Sequence, residues 1–340
     1  MSDYSAASRT LHRLAVGNRA VAEISFDLER AVFGRQIPDQ DKAAHVFVTG
    51  LARSGTTILM RSLFETGNFC SLTYRDMPFV LAPGLWRMMS GGFQRKGAAG
   101  QRAHGDGILV DFDSPEALDE VFWRVMAGET YIHPDRLSPM VANPELIKDF
   151  RDYVGLIMRR YGATRYLSKN NNNILRIGTL VKAFPEAVLL VPYRDPLQQA
   201  FSLLRQHERF TEQQKADPFT RDYMTWLAHH EFGADHRPFE WAADVSVPVG
   251  SLDYWLLQWT GAYRHLLAQA QEFGANLAFV GYERLCEDDT LFVRILERLG
   301  LDPMTQPGFQ LSRSEIDVPV DPDYREAAMA VYSELEAASL

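Results

Sequence analysis

The chain has 340 residues, 46% of them apolar and 23% charged, which is enough apolar material for a full buried core. Its formal net charge of −9 argues against a protein that binds nucleic acid or anionic membranes over its whole surface, because phosphate groups favour a basic excess. Its two cysteines, Cys70 and Cys286, form no CxxC pair and no framework, so they indicate neither a zinc site nor a disulfide scaffold.

The N-terminal segment, residues 5–35, carries apolar side chains near a helical period, and we predict a helix packed on the body of the protein. The segment is charged throughout and lacks the continuous apolar core of a signal peptide. No stretch reaches the about 18 uninterrupted apolar residues usual for a membrane span. These patterns favour a cytoplasmic, soluble protein without a membrane span.

The rest of the chain alternates short apolar runs with longer helical patterns, an order typical of a parallel sheet covered on both faces. We therefore predict a single α/β domain over residues 1–340, with three layers and a central parallel sheet of about five strands flanked by helices. The predicted strands are Val46–Thr49, Phe69–Thr73, Tyr166–Ser168, Val188–Tyr193 and Leu277–Tyr282. The predicted helices include Thr57–Phe64, Pro115–Val125, Pro144–Tyr161, Ile174–Ala183, Leu197–Glu208 and Leu252–Phe273.

Two segments interrupt this alternation. Residues 88–107 are rich in glycine and basic side chains and are predicted to form a loop insertion. Residues 229–250 are too long for a plain connection, and we consider them a second insertion and a candidate lid.

The first predicted strand leads into GLARSGTTIL, which begins like a phosphate-binding loop. A Walker A loop would continue after Gly55 with lysine, but here Thr56 follows. Backbone N–H groups of such a turn and of the next helix's first turn can point at one anion, and Arg53 adds a permanent charge. On its own the pattern also fits a strand-to-helix turn that merely needs glycine. The candidate anion-binding residues are Gly50, Arg53, Ser54, Gly55, Thr56 and Thr57.

A second motif follows the buried run Val188–Tyr193. Arg194 stands at the carboxyl end of this predicted strand, on the edge of a parallel sheet where ligands bind. Ser202 lies eight residues later on the predicted helix and could share an anion with Arg194. An arginine just before a helix can equally be a capping or surface residue.

Together the two stretches resemble the PAPS-dependent sulfotransferases, which use 3′-phosphoadenosine 5′-phosphosulfate (PAPS) as sulfuryl donor. By this resemblance GLARSGTTIL is the 5′-phosphosulfate loop, and Arg194 with Ser202 is the 3′-phosphate motif. The stretch FVGYERLCEDD, with Tyr282, resembles a third element of the family, and the likeness spans roughly residues 45–300. It implies PAPS as co-substrate, adenosine 3′,5′-bisphosphate (PAP) as product, and no need for the Walker lysine or Mg²⁺.

Sulfuryl transfer needs an activated hydroxyl acceptor and cations that stabilise the sulfuryl oxygens and the leaving phosphate. The resemblance assigns Arg53 to the leaving group; arginine at this position is similar to the tyrosylprotein branch of the family. It assigns Lys169, after another short strand, to the sulfuryl group or the bridging oxygen. Lys169 could otherwise be a solvated lysine beside the polar turn that follows it.

The general base is where the chain departs from the cytosolic branch, which has histidine where this chain has Asn171. The tyrosylprotein and heparan sulfate branches use a carboxylate soon after the second strand, and Asp76 stands at roughly that place. Glu120, on a predicted helix, and His104, in the first insertion, are further candidates. Asp76 could instead pair with a basic group, and Glu120 could be a buried partner of one.

The acceptor is predicted to be a carbohydrate or another small hydroxylated metabolite, and a homodimer is left open. Two alternatives remain at this stage. A P-loop nucleotide-dependent kinase would need the missing lysine and an acidic residue that holds a metal. A non-catalytic protein that binds a 3′-phosphorylated nucleotide would not need Lys169.

Overall fold

The computed structural model describes residues 5–90, 100–101, 109–110, 116–243, 246–304 and 308–340. The helices are α1 Ala6–Ala15, α2 Arg19–Phe33, α3 Thr56–Phe64, α4 Pro83–Ser90, α5 Glu120–Tyr131, α6 Pro144–Tyr161, α7 Ile177–Ala183, α8 Pro196–Ala216, α9 Pro218–Trp226, α10 Leu252–Phe273, α11 Tyr282–Glu287, α12 Asp289–Arg298 and α13 Pro322–Ala338. The strands are β1 Val46–Val48, β2 Gly100–Gln101, β3 Leu109–Val110, β4 Leu167–Lys169, β5 Val188–Tyr193 and β6 Leu277–Gly281. No helix within these ranges is long and apolar enough to cross a membrane.

The main sheet has the strand order β4-β1-β5-β6, and every neighbouring pair is parallel. The short strand β1 lies in the middle, where Val48 pairs with Lys169 on one side and with Leu190 on the other. Parallel strands require long crossovers, which the helices between them supply. The β2 and β3 residues form a separate antiparallel pair.

The sheet separates two apolar cores, as expected for a three-layer α/β fold. Alternate side chains of each strand point to opposite faces; Phe47 of β1 joins one core, and Val46 and Val48 join the other. Helices α6, α8, α10 and α13 contribute to the first core, and α3 and α12 to the second. The predicted fold class is therefore confirmed.

The predicted strand Phe69–Thr73 is wrong as a full strand, because only Cys70 pairs with the sheet, as an isolated bridge to Tyr166. Its N–H donates to Arg165 O, and its own carbonyl accepts from Leu167 N. The extended run then ends because the Thr73 hydroxyl and the Asp76 carboxylate cap each other's backbone in a short 3₁₀ turn. The sheet accordingly has four strands where the sequence predicted about five.

The single N-terminal helix predicted over residues 5–35 is two helices. Between them Gly17 lies so close to the Trp226 ring that a side chain would not fit, and Asn18 caps the N-terminus of α2 by accepting from Val21 N. The predicted helix Pro115–Val125 also begins later, at Glu120, after a turn at residues 116–119. The helical period revealed neither these turns nor the packed face of the N-terminal helices. Phe26 and Phe33 of α2 are buried, whereas at least half of each of these predicted apolar side chains is exposed: Leu14, Ile24, Leu28 and Val32.

Helix α6 holds the segment that leads into β1. Gly155, inside this helix, has no Cβ, and an added one would meet the Ile37 side chain and lie 2.6 Å from Gln40 Nε2. Gln40 is buried, and its Nε2 donates to Arg151 O of α6. The close approach therefore fixes residues 37–40 against α6 just before the central strand.

We expect Gly155→Ala to destabilise the protein by about 1–3 kcal/mol, because the overpacked methyl group outweighs the better helix propensity of alanine. The matched control is Gly128→Ala in α5, where the added Cβ would find its nearest neighbour at 3.8 Å. That variant should gain up to about 1 kcal/mol from helix propensity alone. Urea unfolding of both variants measures the difference, and equal gains would show that Gly155 is not tightly packed.

Candidate active site

The carboxyl ends of all four main-sheet strands bring predicted site residues to one edge. Lys169 ends β4, and the loop Gly50–Gly55 follows β1. Arg194 follows β5, and Tyr282 follows β6. Ligands of open α/β sheets bind at this edge, so the topology assembles the predicted residues as a candidate site.

The loop between β1 and α3 is a tight turn. Gly50 and Gly55 have positive φ angles of 145° and 93°, and Gly55 is the N-cap of α3. A Cβ on Gly55 would collide with the Tyr282 ring, so the loop and the start of α11 are in direct contact. The buried Ser54 hydroxyl donates to Leu51 O at 2.8 Å and braces the turn from within. The first-turn N–H groups of α3 are therefore presented at a rigid loop, as an anion site requires.

Arg53 links the loop to the second predicted motif. Its Nε donates to Ser202 Oγ on α8 at 2.9 Å, across 149 residues of sequence. Arg53 also has a left-handed φ of 71°, which costs a non-glycine residue about 1–2 kcal/mol. The structure thus brings the loop arginine into contact with Ser202 of the second motif, which the sequence analysis had paired with Arg194.

Gln199 is a residue that the sequence analysis missed. Its side chain is fully buried, and its Nε2 donates to Ala52 O of the loop at 3.0 Å. Its Oε1 accepts from Trp259 Nε1 at 2.9 Å and from the backbone N–H of Arg194 at 3.3 Å. One carboxamide therefore ties the loop to the start of the Arg194 motif. The available signal was its position three residues before Ser202 on the same face of a helix.

Arg194 lies between an acid and an aromatic ring. Its Nε is 3.7 Å from Glu283 Oε1, and its guanidinium is 5.6 Å from the centre of the Tyr282 ring. Glu283 also accepts from Asp195 N at 3.1 Å, and burial raises the pKa of this carboxyl above its usual value. Arg194 Nε is buried without a hydrogen-bond partner. The guanidinium therefore retains a donor for a ligand.

The segment 308–314 crosses this part of the site. Ser312 O accepts from Arg194 Nη2 at 2.7 Å, and Gln310 O accepts from the Tyr282 hydroxyl at 3.1 Å. The Gln198 carboxamide exchanges two hydrogen bonds with the backbone of Ser314. These contacts hold the late segment over Arg194 and Tyr282.

Lys169 is 93% buried at the end of β4 and adjoins a polar cluster. The next residues form a 3₁₀ turn, in which Asn171 Nδ2 donates to Glu231 Oε1 at 2.9 Å. Glu231 lies within electrostatic range of Lys169 and is 3.5 Å from His229 Nδ1. The lysine is thus not a solvated surface residue.

Glu120 is saturated by neighbours in the base of the site. Both of its oxygens lie 2.9 Å from Arg176 Nη2, and it also accepts from the Tyr131 hydroxyl. Asn170 Nδ2 donates to it at 2.7 Å and Asn172 Nδ2 at 3.1 Å. This geometry favours the alternative that Glu120 is the buried partner of a basic group.

Asp119, which the sequence analysis did not single out, is hydrogen-bonded to the end of β4 and to the residue that follows it. It accepts hydrogen bonds from the Ser168 hydroxyl and from Asn170 Nδ2. Burial raises the pKa of its carboxyl to about 6, against the Ser168 hydrogen bond, which lowers it. Asp119 and Glu120 together therefore anchor both sides of Lys169.

Asp76 is buried beside the last turn of α6. Its Oδ2 accepts from Thr73 N and from the Tyr161 hydroxyl, and its Oδ1 is 3.9 Å from Arg160 Nε. Burial raises the pKa of this carboxyl above its usual value, against those hydrogen bonds. The run that leads to Asp76 is parallel to β4 through the bridge between Cys70 and Tyr166, so Asp76 follows the carboxyl end of that run. The contacts favour pairing with a basic group for Asp76.

The remaining predicted residues are distributed as follows. Thr56 is buried and Thr57 half-buried in the first turn of α3, and His104 lies outside the described residues. Most of the first insertion is outside them as well. In the second, Trp241 stacks on Phe239 at 5.2 Å and on His265 of α10 at 4.0 Å, so these rings are packed together. In the described part of the chain, no group of three or more His, Cys, Asp or Glu side chains could hold a metal.

Residues 45–243 match the model of a sulfotransferase family, a span that exceeds half of the chain. The crystal structure of sulfotransferase STF1 from Mycobacterium tuberculosis H37Rv has a similar fold, with a TM-score of 0.51, 16% identity, and coverage of 94% of this chain and 81% of that chain. Sulfotransferase STF9 from Mycobacterium avium gives a TM-score of 0.51, 13% identity, and coverage of 94% and 75%. No curated protein sequence matches the chain.

We expect Glu120→Gln to lower the free energy of unfolding by about 3–5 kcal/mol, because it leaves the buried Arg176 guanidinium without its anion. The matched control is Glu23→Gln, which removes one of two acidic partners of Arg19, in a pair whose side chains are 48% and 39% exposed. An exposed pair of this kind contributes about 0.5 kcal/mol or less. Denaturant unfolding distinguishes the two, and a Glu120→Gln variant of unchanged stability would return Glu120 to the list of candidate bases.

Proposed function

Because the chain belongs to the sulfotransferase family, we propose that it transfers the sulfuryl group of PAPS to a hydroxyl of a small acceptor and releases PAP. The observation that carries this proposal is the hydrogen bond from Arg53 Nε to Ser202 Oγ. It joins the phosphosulfate-type loop to the Arg194–Ser202 motif at one sheet edge. A loop made only for a tight turn would not need this connection.

The donor would be held at two anionic ends. The loop amides, Thr56, Thr57 and Arg53 suit the 5′-phosphosulfate, since N-terminal helix amides and a guanidinium both favour such oxygens. Arg194 suits the 3′-phosphate, because its buried Nε has no hydrogen-bond partner. The Ser202 hydroxyl accepts from Arg53 and still has its own proton to donate to the same phosphate.

The chemistry would depend on cations rather than on a Walker lysine. Arg53 is assigned to the charge that develops on the leaving phosphate, and Lys169 to the sulfuryl or bridging oxygen. Fixed cations in a half-buried site act more strongly than in water, because the surrounding dielectric is lower. We infer a carbohydrate or another small hydroxylated metabolite as acceptor, since the negative net charge of the chain disfavours a polyanion.

Calorimetric titration with PAP tests the donor site. We expect micromolar binding that Arg194→Ala weakens about 10- to 100-fold, because charged hydrogen bonds to phosphate are worth about 1.5–3 kcal/mol. Lys215→Ala, which removes an exposed cation from the far end of α8, should leave the affinity unchanged. Preference for ADP with Mg²⁺ over PAP, together with indifference to Arg194→Ala, would contradict the proposal and favour a nucleotide kinase.

Lys169→Ala separates an enzyme from a nucleotide-binding protein. We expect this variant to lose at least about 100-fold in the release of PAP from PAPS in the presence of a hexose, an amino sugar and a phenol, while PAP affinity stays within about threefold. Lys148→Ala, which removes a lysine that is 69% exposed on α6, serves as control. Unchanged turnover in Lys169→Ala would exclude the role assigned to Lys169.

A further inference from the structure

The second insertion reaches the candidate active site at its first residues. Helix α9 ends at Trp226, and Ala228 then adopts a left-handed φ of 52°. The N–H of His229 donates back to Met224 O at 2.9 Å, which is the reversal expected of a helix C-cap. Asn172 Nδ2 donates to Ala228 O at 3.2 Å and fixes this turn against the residues that follow Lys169. His229 and Glu231 follow directly after this turn, and Glu231 reaches the residues that follow Lys169.

His229 and Glu231 form a pair beside Lys169. His229 Nδ1 lies 3.5 Å from Glu231 Oε2, and Asn171 Nδ2 donates to the other carboxylate oxygen at 2.9 Å. The Glu231 side chain is 8% exposed, whereas that of His229 is 18% exposed. The carboxylate is thus enclosed by the histidine, the amide and the lysine, and the imidazole is its more accessible partner.

Glu231 is held as an anion. Burial alone would raise the pKa of this carboxyl, but His229 and Lys169 lower it well below its usual range. An anion opposite Nδ1 favours the tautomer that carries its proton on Nδ1 and leaves a lone pair on Nε2. An imidazole oriented in this way by a carboxylate is suited to accept a proton from a hydroxyl.

The other candidate bases are less suited to this task. Glu120 is saturated by Arg176, Tyr131 and two asparagines, and Asp76 is enclosed by Thr73 and the last turn of α6. His229 is instead paired with Glu231, and this carboxylate lies within electrostatic range of Lys169, where the proposed function requires the acceptor hydroxyl.

We propose that His229 is the general base of the reaction, positioned by Glu231, and this inference rests on the proposed function. As the acceptor oxygen bonds to sulfur, its proton passes to His229 Nε2. The bond between sulfur and the bridging oxygen breaks, and its electron pair remains on the phosphate of PAP. The proton on Nε2 then passes to solvent, and the products are a sulfate ester and PAP; with water as acceptor the products are inorganic sulfate and PAP.

The test follows the release of PAP from PAPS with water as the acceptor, in the full chain. We expect His229→Ala to lower this rate at least about 100-fold, the usual contribution of a general base, while calorimetry finds PAP affinity within about threefold of wild type. Added imidazole should restore a substantial part of the rate in His229→Ala and leave wild type unchanged. The control is His133→Ala, which removes another half-buried histidine, outside the site.

Each outcome decides between the two proposals. A wild-type protein that neither binds PAP nor releases it from PAPS removes the proposed function, and this inference with it. Wild-type activity that persists in His229→Ala, or that falls without rescue by imidazole, overturns the role of His229 and leaves the donor site standing. A parallel loss of PAP affinity or of folding in His229→Ala, with no rescue of the rate by imidazole in the alternative truncation His229→Gly, would assign the residue to structure and also overturn the proposal.

Discussion

The pairing of the three-residue strand β1 between β4 and β5 is the constraint on which the candidate site depends. Its backbone is hydrogen-bonded on both sides, with Val46 N donating to Tyr166 O and Thr49 N donating to Leu190 O. A slip of one residue would exchange the side chains of the two cores, so the register is strongly determined. Fixing the end of β1 also fixes the level of the loop relative to Lys169 and to the start of the Arg194 motif. The sheet register therefore determines which residues meet at the candidate site, and their side chains determine its chemistry.

The second requirement is that cations be gathered at one edge of an acidic chain. Arg194 has Glu283 nearby, Lys169 has Glu231, and Arg176 below them is paired with Glu120. A buried charge without a partner is unfavourable, so these acids allow the cations to remain buried when no ligand is present. The pairs differ in strength: Arg176–Glu120 is closely hydrogen-bonded, whereas Arg194 and Glu283 are 3.7 Å apart. A phosphate can therefore compete with Glu283 for Arg194, whereas Arg176 keeps Glu120 as its partner.

Much of this arrangement could be predicted because it is local in sequence. Residues that follow predicted parallel strands must meet at one edge, which sufficed for the loop, Lys169, Arg194 and Tyr282. Gln199 was missed although it lies three residues before Ser202, because its partner Ala52 is 147 residues away and the helical pattern does not show that its side chain is buried. The same holds for Glu231, which meets Asn171 across 60 residues from within an insertion. Strand Phe69–Thr73 was overestimated because its apolar pattern conceals the capping turn at Thr73 and Asp76.

Backbone conformation gives an independent reason to regard the second insertion as part of the site. Among the described residues, Arg53 and Ala228 are the non-glycine residues with positive φ, at 71° and 52°. Each conformation costs about 1–2 kcal/mol and persists only where surrounding contacts require it. Arg53 is held by Ser202, and the carbonyl of Ala228 is held by Asn172, three residues after Lys169. If the insertion had no contact with the site, a glycine in place of Ala228 after α9 would adopt the same conformation without this cost. The two strained positions instead lie at contacts with residues of the candidate site, Arg53 with Ser202 and Ala228 with Asn172.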